Sequence, residues 1–384
     1  MIYFDQAASS FPKPKEVVDQ MIDVVTHLGA NPGRGGHQLA RKADMIINET
    51  RNKAAALFGC TNPKQCLFYP NATIALNQAI KGLNWQKGDH VIATSMEHNS
   101  LRRPLEYIRN NFGVDVSYID WQENDEQFIQ SFQQEIKENT KLIAITHASN
   151  VTGSLIPIDA ILEIAHLKGI LTLVDASQTA GHLPINMKKQ GIDMLVFPGH
   201  KALLGPQGTG MLLVEGEVLL SPIHHGGTGN YSESIEQPEA WPEKYESGTL
   251  NTPGIAGLLA ALKHYEKNKT EIVPRETILI QKLYNGLKQI HDVQVYWTDK
   301  QPKQIPIVAF NVKDISSQEL SMILDSHYQI AVRGGLHCSP LAHQTLNTLE
   351  QGVVRASINM YNTEGEIEIF LQAIQQIIDA YENI

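Results

Sequence analysis

Short apolar runs recur along the chain up to residue 214, and helical segments separate many of them. The runs are rich in β-branched residues and nearly unbroken by polar ones, which is typical of strands buried on both faces of a sheet. Segment 159–168 carries apolar residues at helical spacing and predicts a packed crossover helix. The predicted strands are 65–69, 90–94, 114–119, 141–147, 170–174, 193–197 and 209–214.

Alternating strands and helices predict the α/β class, with a seven-stranded, mostly parallel sheet that helices cover. Further helices are predicted at 14–28 and at 39–58, where Gly59 closes the second one. After Pro253 the pattern changes. The elements predicted there are helices at 254–268, 275–290 and 364–384 and a strand at 307–312.

This change of pattern predicts two domains. We expect a large domain at 15–253 and a smaller α+β C-terminal domain at 254–384, with residues 1–14 packing near the small one. The length of 384 residues is sufficient for a large core and a second domain.

Composition excludes several classes of partner. The formal net charge of −10 leaves no basic surplus to neutralise phosphates, so we expect neither a nucleic acid nor an anionic membrane as partner. No apolar run approaches the roughly 18 residues that span a bilayer. The N-terminal sequence lacks the basic start and apolar core of a signal peptide, so we expect a cytoplasmic protein.

The three cysteines are too few for a disulfide framework. Cys60 and Cys66 lie near each other, but no further cysteine or histidine follows at zinc-finger spacing. The adjacent His224 and His225 precede two glycines and are more typical of a turn near a dimer interface than of a metal site. The sequence therefore predicts no bound metal.

Candidate chemistry lies where predicted strands end. Asp175 follows strand 170–174, Lys201 follows strand 193–197, and the sequence Asn-Ala-Thr at 71–73 follows strand 65–69 and opens a helix. Open α/β sheets place their sites at the carboxyl ends of the strands. We therefore expect these groups to meet in one site.

The three groups match the needs of pyridoxal 5′-phosphate (PLP). Its aldehyde requires a lysine amine, its ring nitrogen requires a carboxylate, and its phosphate is suited to the free N–H groups of a helix start. Taken singly, Asp175 could be a helix cap and Lys201 a solvated surface group. Their occurrence on neighbouring strand ends, with Gly199 and His200 before the lysine and a glycine-rich stretch after it, favours PLP.

With these residues in view, the chain resembles the class V aminotransferase group, and within it the cysteine desulfurases. The resemblance extends nearly from end to end, and its order and spacing make it specific. The motifs that carry it are Asp5-Gln6-Ala7-Ala8-Ser9, Glu97-His98-Asn99, Ser149-Asn150-Val151-Thr152-Gly153, Asp175-Ala176-Ser177-Gln178, Gly199-His200-Lys201, Glu246-Ser247-Gly248-Thr249, Arg333-Gly334-Gly335-Leu336-His337-Cys338 and Arg355-Ala356-Ser357.

The resemblance implies a homodimer with the fold-type I architecture of PLP-dependent transferases. It also implies roles around the cofactor. His98 would lie over the ring and assist proton transfers, and Gln178 would hydrogen-bond the ring hydroxyl. The phosphate would be held by His200 and by the amides of Ala72 and Thr73. The alternatives are an ordinary loop histidine for His98 and a polar helix-start residue for Gln178.

Three further roles follow from the same resemblance. Thr249 would reach the phosphate from the partner subunit, although a plain loop turn is the alternative. Asn150 and Arg355 would bind the substrate carboxylate, for which the planar fork of an arginine is suited. For Arg355 the alternative is a structural ion pair.

Cys338 determines which reaction is expected. It lies in a glycine-rich stretch with His337 and Arg333 nearby, and loops of this composition run over the surface. Neighbouring positive groups favour the reactive thiolate form of a cysteine. Cys60 and Cys66 are better interpreted as buried small hydrophobic residues. Together with the resemblance, this favours Cys338 as a nucleophile.

The expected function is therefore that of a PLP-dependent cysteine desulfurase. It would convert L-cysteine to L-alanine and leave a persulfide on Cys338 for sulfur mobilisation, as in iron–sulfur cluster assembly. The loop around Cys338 resembles the short-loop, SUF-type class, which also includes selenocysteine lyases acting on L-selenocysteine. A short loop has limited reach, so a separate sulfur-acceptor protein is expected.

Other readings remain open at this level. The first is an aminotransferase or β-lyase of the same fold in which Cys338 is incidental. A non-catalytic PLP-binding scaffold is disfavoured because it needs no substrate clamp such as Arg355. A nucleotide-binding protein is disfavoured because no glycine-rich phosphate motif of that kind follows a strand. Pro198, Ala72 and Leu336 stand where the SUF-type enzymes commonly have serine, threonine and histidine.

Overall fold

The computed structural model describes residues 1–33, 36–230, 232–296 and 304–382. The strands are β1 (Ile2–Tyr3), β2 (Cys66–Tyr69), β3 (His90–Thr94), β4 (Asp115–Ile119), β5 (Thr140–Thr146), β6 (Leu171–Asp175), β7 (Met194–Pro198), β8 (Gly210–Val214), β9 (Val293–Tyr296), β10 (Ile307–Val312), β11 (Ile330–Ala331), β12 (Arg333–Gly335) and β13 (Val353–Ser357). The α-helices are α1 (Lys15–His27), α2 (Gln38–Phe58), α3 (Ala72–Lys81), α4 (Asn99–Phe112), α5 (Asp125–Glu135), α6 (Ile158–Leu167), α7 (Met187–Gln190), α8 (Thr252–Gln289), α9 (Ser317–Tyr328), α10 (Pro340–Thr345) and α11 (Glu364–Glu382).

The largest sheet has seven strands in the order β2-β8-β7-β6-β5-β3-β4. Only β8 runs antiparallel to its neighbours; the pairs from β7 through β6, β5 and β3 to β4 are parallel. Every residue of β3, β7 and β8 is buried, as expected when helices cover both faces of a sheet. The prediction of a seven-stranded, mostly parallel sheet is confirmed.

Each predicted strand of this sheet is present, and its ends differ from the prediction by no more than one residue. Helix α2 ends where Gly59 adopts a left-handed φ of 70°, a conformation that glycine adopts without steric cost. Asn71 precedes α3, and its Oδ1 accepts a hydrogen bond from the N–H of Ile74 at 3.0 Å. This cap determines where α3 begins. The first residues of α3 are Ala72 and Thr73, which the family resemblance places at the phosphate of PLP.

A second sheet of four antiparallel strands has the order β12-β13-β10-β9. Helices α8, α9 and α11 contribute to the apolar cluster on this sheet, together with Phe4 from the N-terminal segment. Strand β1 pairs in parallel with β11, and Asp5 forms a bridge with Ser357. These contacts join the start of the chain to the second sheet. The boundaries of the two domains remain a prediction.

The two helices predicted at 254–268 and 275–290 form one helix, α8, and that part of the prediction is wrong. Pro274 lies inside α8 and lacks the N–H that would donate to the preceding turn, which is why the sequence indicated an interruption. Burial on both sides of the proline, from Leu262 to Ile272 and from Leu279 to Leu287, keeps the helix continuous. The last helix is present, and residues 383 and 384 of its predicted range lie outside the described residues.

Among the described helices, none has the length and apolar character needed to cross a membrane.

Candidate active site

A polar cleft of about 230 Å³ lies at the carboxyl ends of the central strands. Strands β5, β6 and β7 end there, and α3 begins there. Most of the predicted site residues line this cleft, which brings together parts of the chain that are far apart in sequence. These residues are Ala72, Thr73, His98, Asn150, Asp175, Gln178, His200, Lys201 and Arg355.

The cleft occupies the point where the order of the strands reverses. The pairing of β3 with β5 covers only His90 to Ile92 of β3, so the two strands diverge toward their carboxyl ends. The buried carboxyl of Glu97 fills the gap: Thr94 Oγ1 donates to it at 2.6 Å and the N–H of Thr146 donates to it at 2.9 Å. Such reversal points are where open α/β sheets bind ligands.

Asp175 and Lys201 both line the cleft, and each shifts the pKa of the other. Asp175 is the last residue of β6; burial raises the pKa of its carboxyl, and the Ser177 N–H, which donates to Oδ1 at 2.9 Å, and Lys201 oppose that rise. Burial lowers the pKa of Lys201 to about 8, with Asp175 acting in the opposite direction. The cleft therefore holds a lysine amine that is partly uncharged near neutral pH, together with the buried carboxyl group of Asp175.

His98 is the residue that precedes α4, and its ring orientation is set by that helix. The backbone N–H of Ser100 donates to Nδ1 of His98 at 3.0 Å, so in the neutral imidazole the hydrogen is on Nε2. Burial lowers the pKa of His98 to about 4, and the positive charge of Lys201 acts in the same direction. His98 is therefore a neutral N–H donor in the cleft.

One end of the cleft is suited to an anion. The first residues of α3, Ala72 and Thr73, line it, and a helix start presents free N–H groups and the positive end of the helix dipole. Gly210 packs against the backbone just before α3. A Cβ added to Gly210 would stand 2.7 Å from the carbonyl carbon of Asn71, so this position has no room for a side chain. His200 adds a ring whose Nδ1 is buried without a hydrogen-bond partner among the described residues.

Arg355 is 1% exposed and crosses from β13 into the cleft. Its Nη1 donates to the carbonyl of Asn150 at 2.8 Å, and its Nη2 pairs with Asp5 Oδ1 at 2.9 Å. The ion pair that was the alternative interpretation is therefore present. Nε of Arg355 is buried without a partner among the described residues, so the guanidinium retains a donor for a further ligand.

Asn150 lines the cleft, but its side chain is used by the loop that carries Cys338. Its Nδ2 donates to the carbonyl of His337 at 2.8 Å, and Ser339 Oγ donates to its Oδ1 at 2.6 Å. Each end of the amide therefore has a partner on the loop.

Cys338 is exposed and stands beside the cleft rather than in its lining. It lies at one end of a groove of about 430 Å³ between α3 and α4, which we call the outer groove. Thr73 and His98 line both the cleft and the outer groove, so the two spaces adjoin. His337 and Cys338 have left-handed φ angles of 50° and 60°, which are uncommon for residues other than glycine.

Thr249 and Gln178 differ in their position relative to the cleft: Gln178 lines it and Thr249 does not. Thr249 is exposed and lies outside the cleft, on a surface that also includes His224, so its predicted contact from a partner subunit remains a prediction. Gln178 is buried in the cleft lining, and its Nε2 donates to the carbonyl of Ala7 at 3.2 Å.

The sequence indicated Arg333 and His337 only as positive neighbours of Cys338, and both also line the cleft. For His337 that expectation is wrong, because burial lowers the pKa of its ring to about 2 and leaves it uncharged. Glu97 and Ser100, which were assigned no role, support the walls of the cleft. All but Ser100 lie inside motifs that carried the resemblance, but a motif does not indicate which side chains point into a cleft.

Comparison with known proteins agrees with this geometry. The family model for class V aminotransferases matches residues 2–370. The chain therefore belongs to the class V aminotransferase family. A protein of Methanothermobacter thermautotrophicus named probable cysteine desulfurase is 34% identical, over 98% of this chain and 94% of that protein. The cysteine desulfurase of Shigella flexneri is 30% identical, over 98% of this chain and 93% of its own length.

A solved structure extends the comparison to three dimensions. The apo structure of a cysteine desulfurase from Thermococcus onnurineus NA1 superimposes with a TM-score of 0.91 at 31% identity, and it covers 99% of this chain and 95% of that one. The similarity therefore extends over both sheets.

Proposed function

We propose that this chain is a PLP-dependent cysteine desulfurase that converts L-cysteine to L-alanine and leaves the sulfur as a persulfide on Cys338. The observation that carries the proposal is the arrangement of three groups. Lys201 and Asp175 line one cleft, and the exposed thiol of Cys338 lies in the groove that adjoins it. The names of the relatives at 30–34% identity support the same activity.

The donor set fits PLP. Lys201 would hold the aldehyde end, Asp175 the ring nitrogen, and Gln178 the ring hydroxyl, while the start of α3 and His200 would hold the phosphate. Nδ1 of His200 is buried and without a partner among the described residues, as expected of a group that awaits a ligand. The bound cofactor would supply an electron sink that makes the substrate Cα–H bond acidic.

The residues of the chain would divide the remaining work. Arg355 would bind the substrate carboxylate through its free Nε. The amine of Lys201, whose pKa is lowered to about 8, is partly uncharged near neutral pH and would move the Cα proton. His98 would donate from Nε2 toward the ring.

Cys338 would receive the sulfur. Its thiolate attacks the sulfur of the substrate, an S–S bond forms, and the Cβ–S bond of the substrate breaks. The electron pair of that bond stays with the carbon skeleton, which takes up a proton and leaves as alanine. One thiol and one cysteine give one persulfide and one alanine, so the step needs no external oxidant.

The remaining assignments are part of the same proposal. The enzyme would act as a homodimer in which Thr249 completes the partner's phosphate site. It would deliver its sulfur to an acceptor protein, as iron–sulfur cluster assembly requires. Cytoplasmic location is supported by three cysteines that are all free thiols in the structure.

The test is incubation of the purified enzyme with L-cysteine or with L-selenocysteine in the presence of a reductant. Alanine and the released sulfide or selenide are measured in equal amounts if the proposal holds. Activity with L-selenocysteine alone would indicate a selenocysteine lyase. Release of sulfide with pyruvate and ammonia in place of alanine, undiminished after alkylation of Cys338, would indicate a β-lyase. Formation of 3-mercaptopyruvate that depends on an added keto-acid acceptor would indicate an aminotransferase.

A further inference from the structure

The outer groove runs along two helices whose first turns lie side by side. Thr73 Oγ1 and Ser100 Oγ are 2.8 Å apart near the starts of α3 and α4, and Lys81 Nζ lies 4.1 Å from the ring centroid of Tyr107 further along both helices. The two helices are therefore parallel. From Thr73 to Lys81 the groove extends about 12 Å, at 1.5 Å per helical residue.

Cys338 closes one end of this groove. The N–H of Asn99 donates to the carbonyl of Cys338 at 2.8 Å, which ties the cysteine to the start of α4. The N-terminus of α4 thus faces the end of the groove where the thiol is exposed. An anionic nucleophile that approaches Cys338 there meets the positive end of this helix dipole.

The charge of the groove is opposite to that of the chain. Lys81 and Arg103 line it, and among the described residues of its lining none is acidic. No carboxylate in the described ranges lies within salt-bridge distance of either cation, whereas the whole chain has a formal net charge of −10. Tyr107 is 44% exposed beside Lys81, which offers an aromatic contact of the kind enriched in protein interfaces.

We propose that the outer groove binds an acidic polypeptide segment of the sulfur-accepting protein, with the accepting cysteine at the Cys338 end. This inference rests on the proposed function and adds the charge and place of the partner. A small thiol would occupy the Cys338 end and leave Lys81, about 12 Å away, without an anionic partner. A polypeptide segment contacts both ends at once.

The transfer itself is balanced. The thiolate of the acceptor attacks the outer sulfur of the Cys338 persulfide, and the S–S bond to Cys338 breaks. Cys338 leaves as a thiolate, and the acceptor becomes a persulfide. The number of S–S bonds is unchanged, so the step requires no reductant or oxidant.

The test uses synthetic peptides as probes. One peptide has a single cysteine with glutamates on both sides, and its control has glutamine at each of those positions. The enzyme is first loaded with L-cysteine, and the gain of one sulfur atom on Cys338 is verified by mass spectrometry. Transfer to the acidic peptide should be about tenfold faster than to the neutral one, and added salt should reduce the difference.

Charge reversal locates the site of binding. Lys81→Glu and Arg103→Glu should each remove most of the preference for the acidic peptide, while Lys269→Glu, an exposed change on α8, should leave it intact. Alanine production with dithiothreitol as acceptor should be unchanged in all three variants, which shows that they fold and load sulfur.

The possible outcomes separate the two levels of the proposal. Absence of sulfur on Cys338 after loading contradicts the proposed function. Normal loading with equal transfer to both peptides contradicts the groove as a docking site for an acidic segment. A change in oligomeric state in Lys81→Glu or Arg103→Glu, measured by light scattering, also overturns the inference, because the groove would then be covered by a second copy of this chain.

Discussion

The side chain of Asn150 donates a hydrogen bond from Nδ2 to the carbonyl of His337 at 2.8 Å. The contact joins a residue after β5 to the loop that carries Cys338, and Ser339 completes it from the other side with a 2.6 Å hydrogen bond to Oδ1. His337 and Cys338 both have left-handed φ angles, and such conformations persist when surrounding contacts hold them. Asn150 therefore positions the loop, in addition to its predicted contact with the substrate carboxylate.

Replacement of Ser339 by alanine isolates this positioning role, because Ser339 has no predicted contact with substrate. We expect a loss of about 1 kcal/mol in local stability from one buried hydrogen bond and a faster alkylation of Cys338 by iodoacetamide. Absorbance of bound PLP should be unchanged. Ser326→Ala, which removes a hydroxyl donating to Met322 on the exposed face of α9, is the matched control. Equal alkylation rates in both variants would contradict the positioning role.

Lys201→Ala removes the amine that would hold the aldehyde of PLP. We expect the visible absorbance of lysine-bound PLP to disappear and alanine formation from L-cysteine to stop. The measurement is an absorbance spectrum before and after reduction with borohydride. A reducible yellow chromophore that survives the change would show that another lysine holds the cofactor.

Cys338→Ala removes the proposed sulfur-accepting thiol but leaves the cleft intact, since Cys338 is not part of its lining. PLP absorbance should be retained, whereas alanine formation should fall by at least about 10²-fold, the scale on which loss of a nucleophile acts. Cys60→Ala, a change at a buried cysteine of the core, is the control. Normal turnover in Cys338→Ala would remove the cysteine from the mechanism.

The reactivity of Lys201 should depend on pH in a way that distinguishes it from an ordinary lysine. Because its pKa is lowered to about 8, the fraction of uncharged amine falls about tenfold per unit as the pH drops below 8 and becomes nearly constant above it. Carbamylation of Lys201 by cyanate in the cofactor-free protein, followed by mass spectrometry, measures this fraction. N-acetyl-lysine amide is the control. A rate for Lys201 that keeps rising to pH 10 would contradict the lowered pKa.

The buried pair of Arg51 and Glu246 is predicted to stabilise the segment that carries Thr249. Arg51 Nη1 donates to Glu246 Oε1 at 2.9 Å, and the N–H of Phe68 donates to the same oxygen at 2.6 Å. Arg51→Met should cost about 3–5 kcal/mol because it leaves a buried carboxylate unpaired. Denaturant unfolding measures this cost, and Arg51→Met with Glu246→Gln should recover part of it. No recovery would mean that packing of Arg51, rather than its charge, is what stabilises the fold.

The sequence by itself determined the large sheet and the principal chemistry. Buried parallel strands need unbroken apolar runs, so β3 was predicted with its observed bounds, and Asp175 and Lys201 could be expected to meet because parallel strands end at one edge. Pro274 shows the limit of a local signal, because packing along both halves of α8 outweighed the loss of one backbone donor.

Only the tertiary structure decided the contacts between distant parts of the chain. Arg355 pairs with Asp5 across 350 positions, and Asn150 is separated from Ser339 by 189. Lys81 and Arg103 share the outer groove because α3 and α4 pack in parallel. The local sequence pattern indicates which residues are buried. It does not indicate which distant side chains meet in the cleft, because that depends on how the whole chain packs.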